Sequence, residues 1–275
     1  MKRILYHGAA LLCAALVALA FFYSMGWRPP RQKETVIVGV SAREPNWNMT
    51  MDDGKHPHLD GFMAALWQEI GRRAGWDISF VRADFGALWG MLDRGEIDSI
   101  GENASETEPR MVKYNFSEPF YADHSVFLYR RDLGRAEGLS FFDGRTIAVG
   151  YANSSSFILR RFTEKGIAMT ALPVQKESDV VPAVLEGKAP AGLADASTVR
   201  IALKEGSLIL AVYDPGGPVM MSALPFRQDE RGRRLSRDAS KAIRAMKDDG
   251  TLKQLAEKWL YDNLSSMPDG FWPQK

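Results

Sequence analysis

Apolar and polar positions divide the chain into a long apolar opening and a series of short periodic segments. Residues 8–27, GAALLCAALVALAFFYSMGW, are almost uninterrupted by polar side chains. From residue 35 onward, compact β-branched runs alternate with helical patterns. TVIVGV (35–40) predicts a buried strand, and SAREPNWNMTMDDGKHPH (41–58), with its Pro, Asn and Asp-Gly turn signals, predicts a loop. DGFMAALWQEIGRRAGW (60–76) carries Phe62, Ala65, Leu66 and Ile70 at helical spacing and predicts an amphipathic helix ending near Gly75. DISFV (77–81) predicts a strand, FGALWGMLDRGE (85–96) a helix closed by Gly95, and IDSIG (97–101) a third strand. That alternation is the signature of a parallel α/β sheet.

The rhythm returns later: a strand near 146–150, a helix in SSFILRRFTEKG (155–166), a strand in AMTAL (168–172), a helix in SDVVPAVLEGK (178–188) and a strand in PAGLAD (190–195). Two α/β units in one chain predict two lobes. RGEIDSIGENAS (94–105) and EGKAPAGLADAS (186–197) align without gaps, matching Gly95 with Gly187, Asn103 with Asp195 and Ser105 with Ser197. Each unit thus delivers a polar side chain to the carboxyl end of a strand, where open α/β sheets bind ligands. The tail predicts two helices, one with Ala239, Ile243 and Met246 on one face, and one restarting after Gly250 with Thr251 as N-cap.

Composition narrows the function. The 275 residues are 45% hydrophobic and 25% charged, an ordinary globular balance, and a net charge of +1 gives no electrostatic case for nucleic acid or an anionic membrane surface. Lys2 and Arg3 before the apolar run make residues 1–27 an export signal or an N-terminal membrane anchor, and RPPRQKE (28–34) a linker. Ala18-Leu19-Ala20 fits the small-x-small cleavage rule, and a run of about 20 apolar residues also fits a span, so both fates stay open. In either case the rest folds outside the cytoplasm. Cys13 is the only cysteine and lies inside the apolar segment, so the exported part has no disulfide or thiol chemistry.

Candidate chemistry gathers in SIGENASETEPRMVKYNFSEPFY (99–121). Thr107 as N-cap with Pro109 in the first turn predicts a helix start, where Arg110 opposes the helix dipole. Its planar guanidinium could hold a carboxylate by two charge-assisted hydrogen bonds, with Asn103 and Ser105 beside it, or could pair with Glu106 or Glu108 on the surface. Asp195 could meet a ligand ammonium across a cleft, or cap the helix after it. Ser154 and Ser155, in NSSS, could cap a helix, bind an oxyanion, or both. No G-x-S-x-G elbow, phosphate loop or metal-ligand spacing is present, and His56 and His58 read as loop histidines. No cofactor and no metal are expected.

Taken together, DGKHPHLDGF, FGALWGMLDRGEIDSI, TEPRMVKYNFSEPFY, FFDGRTIAVG, VLEGKAPAGLAD and KAIRAMKDDGTLKQLAEKWL stand in the order found in the periplasmic solute-binding proteins of polar amino acid ABC transporters, extracellular solute-binding protein family 3. The resemblance spans residues 35–262. It implies the type II periplasmic binding protein fold, α/β throughout. Two lobes, each a mixed sheet flanked by helices, are joined by two hinge segments and close like a flytrap. Lobe 1 would be residues 35–124 plus 220–275, and lobe 2 residues 125–219. The resemblance further implies that Arg110, helped by Ser105, clamps a ligand α-carboxylate and that Asp195 takes the α-ammonium. Phe85 would pack on the ligand, with hydroxyls near Ser154 and Ser155 reaching it from lobe 2.

This chain also departs from the family pattern. The first helix, GFMAALW, lacks the early acidic residue; Pro190 replaces an Asp; YANSSS replaces Gly-Thr-Thr; and either Glu44 or Trp47 occupies the place of the usual pocket aromatic. These departures bear on the ligand's side chain more than on the fold. The expected function is a non-enzymatic, monomeric, periplasmic binding protein that presents an amino acid or similar small carboxylate to an ABC-transporter permease in the inner membrane. The alternatives are an enzyme on the same scaffold, like cyclohexadienyl dehydratase, with Glu44, Glu102 or His124 as acid or base, and a membrane-tethered sensory domain.

Overall fold

A computed structural model describes residues 33–41, 43–44, 48–51, 58–151, 154–204, 206, 209–217, 219–268 and 271. The side chains of 43–44, 48–51, 58 and 154 are outside that description, as are the export segment, Cys13 and Trp47. In chain order the first elements are β1 (Glu34–Val40), β2 (Arg43–Glu44), β3 (Asn48–Met51), β4 (His58–Asp60), α1 (Phe62–Ala74), β5 (Trp76–Arg82), α2 (Phe85–Arg94), β6 (Ser99–Ile100), α3 (Glu108–Lys113) and β7 (Asn115–Phe116). Then come β8 (Tyr121–Asp123), β9 (Ser125–Arg130), β10 (Thr146–Gly150), α4 (Ser154–Glu164), β11 (Thr170–Val174), α5 (Val180–Leu185), β12 (Ala191–Asp195), α6 (Ala196–Lys204) and β13 (Leu210–Tyr213). The chain closes with β14 (Met220–Ser222), β15 (Pro225–Phe226), α7 (Glu230–Asp248) and α8 (Thr251–Leu260).

Two five-stranded sheets organise these elements, in the orders β5-β1-β6-β15-β7 and β11-β10-β12-β9-β13. In the first, β6 runs parallel to β1 with Val38 opposite Ser99, while β15 is antiparallel. In the second, β10 pairs in parallel with both β11 and β12, and β9 is antiparallel to β12. Each sheet is therefore mixed and built around a parallel centre. Between them, β8 and β14 form a separate antiparallel pair, through which the chain leaves the first sheet and returns to it. This is the two-lobe, hinged α/β arrangement that the sequence predicts.

Period-2 alternation puts hydrophobic side chains on both faces of each sheet. Val36, Val38 and Val40 of β1 bury against α1, α7 and α8, while Leu88 and Leu92 of α2 pack with Ile97 and Ile100 on the other side. In β9, Val126 and Leu128 face α5, whereas Phe127 and Tyr129 face α4. The two tail helices dock on the first lobe, because Leu235, Ile243, Met246, Leu252 and Leu260 join the α1 core. Gly95 and Gly187 end α2 and the turn after α5 at φ 73° and 75°, a left-handed conformation that disfavours residues with a Cβ.

Two local expectations are corrected. Residues 41–58 do not read as strands, yet β2, β3 and β4 pair antiparallel there; runs this short leave no periodic trace in sequence. At the second tail helix the N-cap position is Gly250 rather than Thr251. Asp249 Oδ1 accepts from the Thr251 backbone N–H at 3.0 Å and from its hydroxyl at 2.6 Å, so Asp249 supplies the cap.

Candidate ligand-binding site

The chain leaving β6 turns at Gly101 and runs through Glu102, Asn103 and Ser105 into α3. Ser105 is buried and forms an isolated antiparallel bridge with Ser222 of β14, so this loop is tied to the hinge. Thr107 is the N-cap residue of α3; its carbonyl accepts from the N–H groups of Arg110 and Met111, and its side chain makes no cap bond. The helix is only six residues long, and Arg110 belongs to its last turn as well as its first. The dipole mismatch expected of Arg110 is correspondingly small.

An aromatic wall receives the Arg110 side chain. Phe85 and Trp89, one turn apart on α2, cross edge to face at 6.1 Å, and Trp89 meets Tyr114 at 5.2 Å. The guanidinium carbon sits 4.3 Å from the Trp89 ring centroid and 5.9 Å from that of Phe85, and Nη1 donates to the Ser105 carbonyl at 3.1 Å. Burial pushes the Arg110 guanidinium down to about 10. Glu106 behaves as no guanidinium partner would: burial, followed by the nearby Glu118 charge, lifts it to about 7. Glu108 is exposed. The amide oxygen of Asn103 is buried with no hydrogen-bond partner among the described residues, an acceptor that a ligand N–H would satisfy.

A second group forms at the end of β12. Asp195 is half-buried, and its N–H donates to Glu177 Oε1 at 2.8 Å. The same oxygen accepts from the Ser155 hydroxyl at 3.4 Å, and Ser155 lies 3.2 Å from the Ser125 hydroxyl. Ser155 is fully buried, so its hydroxyl supports Glu177 and Ser125. Ser154 begins α4. The start of α6 is capped from the hinge, where Asp123 Oδ2 accepts from the Ser197 N–H at 3.1 Å. Glu177 was missed in sequence because an acid opening a short helical turn reads as a cap.

The hinge strand joins the two groups. Ser222, the partner of Ser105, pairs with Tyr121, and Asp195 pairs with Ser125. Tyr121 and Ser125, four residue steps apart, are separated by at most about 13 Å of chain. Ser105, five residues before Arg110, and Asp195 are thus attached at the two ends of one short segment of chain, Tyr121 to Ser125. Of the other candidate acids and bases, His124 Nε2 lies 3.1 Å from Asp214 and Glu102 accepts from the Ser41 N–H, while the Glu44 side chain lies outside the described residues. Among the described residues no cluster of His, Cys, Asp or Glu could hold a metal ion, and no helix is long and apolar enough to cross a membrane.

Comparison with known proteins agrees with this architecture. A family model described as bacterial extracellular solute-binding proteins, family 3, matches residues 36–262. The chain belongs to this family. A putative amino-acid ABC transporter-binding protein, PatH of Vibrio harveyi, is 30% identical over 225 residues, covering 82% of this chain and 88% of that protein. A solved mutant of ArgBP from T. maritima shares the fold with a TM-score of 0.72 at 23% identity, covering 89% of this chain and all of that one. An ancestral amino acid-binding protein, AncCDT-1, described as a precursor of cyclohexadienyl dehydratase, reaches 0.71 at 20% identity over 82% of this chain and 95% of its own. The fold is therefore the type II periplasmic binding protein fold, and the family is one of extracellular solute-binding proteins.

Proposed function

We propose that this family 3 protein is the binding component of an ABC importer and captures an amino acid or similar small carboxylate between its lobes, residues 35–124 with 220–275 on one side and 125–219 on the other. The observation that supports the reading is that Ser105, whose carbonyl accepts from Arg110, and Asp195 are attached at the two ends of the same short segment, Tyr121 to Ser125. A zwitterion complements both charges. The Arg110 fork would hold the carboxylate with help from Ser105, the Asn103 oxygen would accept from the ammonium, and Asp195 would neutralise it. Phe85 would give the ligand an apolar face, with further contacts from Ser154 and from Trp47 or Glu44, whose side chains lie outside the described residues.

Ligand binding would favour the closed arrangement by its differential affinity for that state, and the closed protein would present its cargo to an inner-membrane permease. No bond in the ligand would change. Names such as the amino-acid transporter-binding protein of Vibrio harveyi support an amino acid cargo. A thermal-shift panel of amino acids, amines and carboxylates on the residue 34–275 domain tests this: at about 100 times its dissociation constant a ligand adds roughly 2.7 kcal/mol, a clear rise in Tm. Mass spectrometry of recovered ligand distinguishes binding from turnover, since an enzyme like cyclohexadienyl dehydratase would release an altered compound. The mature N-terminus separates a free periplasmic shuttle, beginning after Ala20, from a tethered protein that retains Lys2.

A further inference from the structure

We infer that Trp89 is a positioning residue for Arg110, holding its guanidinium over the indole ring in the place where it can meet a ligand carboxylate. This rests on the reading of Arg110 as the carboxylate clamp.

A guanidinium taken out of water needs compensation, and a second carboxylate would supply it only by occupying N–H donors. An aromatic face supplies it differently: the ring quadrupole attracts the cation without supplying an oxygen acceptor that would compete with a ligand carboxylate. Trp89 is placed for this, 4.3 Å below the guanidinium carbon. Phe85, at 5.9 Å, is a weaker partner near the limit of such contacts. The ring is itself fixed on several sides. Phe85 crosses it at 84°, Tyr114 lies against it at 5.2 Å, and the Tyr114 hydroxyl donates to Asp93 Oδ1 at 2.9 Å. The carbonyl of Ser105 takes Nη1 in the same arrangement. Trp89 is only partly buried at the rim of the Leu88 and Leu92 cluster, so one side of it packs on that core while its ring lies under Arg110.

The test titrates each standard L-amino acid singly into wild-type protein, Trp89→Phe, Trp89→Leu and Arg110→Ala, with the unliganded Tm of each. Trp89→Leu should weaken binding about tenfold while Trp89→Phe, which keeps an aromatic face, stays within about threefold of wild type. Unliganded melting temperatures should not follow that order. The wild-type emission spectrum minus that of Trp89→Phe isolates Trp89 and should change on binding. That change does not depend on how stable the leucine variant is. Binding that is lost in Arg110→Ala but retained within threefold in Trp89→Leu, or a Trp89 signal indifferent to bound amino acid, overturns this inference alone. If no amino acid binds wild-type protein, or Arg110→Ala binds normally, the clamp reading falls and this inference with it.

Discussion

Arg200 on α6 donates from Nη1 to Asp262 Oδ2 at 2.8 Å, and that oxygen also receives the Tyr121 hydroxyl at 2.6 Å. Arg200 follows strand β12 of the second sheet, Asp262 follows α8, which packs with the first sheet, and Tyr121 belongs to β8 between the sheets in chain order. The pair therefore ties α6 to the chain after α8, beside Tyr121 of β8. Asp262 is 8% exposed, and its Oδ1 accepts from the Leu264 N–H, so the carboxylate serves as a buried hub.

Removing that hub should destabilise the protein without touching the candidate site. Losing one partner of a buried pair costs about 3–5 kcal/mol, and the partial exposure of Arg200 reduces this to about 2–3 kcal/mol for Asp262→Ala. At roughly 2–4 °C per kcal/mol for a chain of this size, Tm should fall by about 5–10 °C. Differential scanning calorimetry decides it, and a fall of less than about 2 °C would show that the hub contributes nothing.

Glu106 gives a pH dependence of opposite sign to the usual carboxylate. Its folded value is raised to about 7 by burial and Glu118, so between its ordinary value of 4.5 and about 7 the folded state binds more protons than the unfolded state. Stability from this group is present at low pH and declines as pH rises through that window. Glu106→Gln removes the penalty and should stabilise the protein above pH 7.5 by on the order of 1 kcal/mol, discounted for partial exposure, with little effect at pH 4.5. Urea melts of both proteins at pH 4.5 and 8 check this. An equal difference at the two pH values would contradict it.

Ser155 tests how the second-lobe wall is built. With its hydroxyl buried between Ser125 and Glu177, Ser155→Ala should lower stability by about 1 kcal/mol. Amino acid affinity should stay within about threefold of wild type if the hydroxyl acts only as support. A loss of affinity beyond tenfold at unchanged Tm would make Ser155 a direct ligand contact instead.

Much of the fold was legible because its physics is local. β1 announces itself by Val36, Val38 and Val40, and the helix stops at Gly95 and Gly187 demand a left-handed conformation that Gly adopts readily. β9 was harder, since five of its six residues are buried and both faces are covered, which erases the alternation that marks a half-exposed strand. Around the candidate site, Arg110 could be singled out by its charge at a helix start and Asp195 by its charge at a strand end. The setting of Arg110 could not: Trp89 at helical spacing reads as core, and only its position over the guanidinium distinguishes it. The link between the two groups depends on the pairings of Ser105 with Ser222 and Asp195 with Ser125, long-range contacts that no local pattern encodes.

The central claim is that Arg110 holds a ligand carboxylate. Isothermal titration calorimetry of wild-type protein and Arg110→Ala with the amino acid giving the largest thermal shift measures it directly. Loss of a bidentate charge-assisted pair predicts a Kd raised at least about 100-fold, equivalent to roughly 3 kcal/mol, with the unliganded Tm nearly unchanged. A Kd within about threefold of wild type would contradict the account.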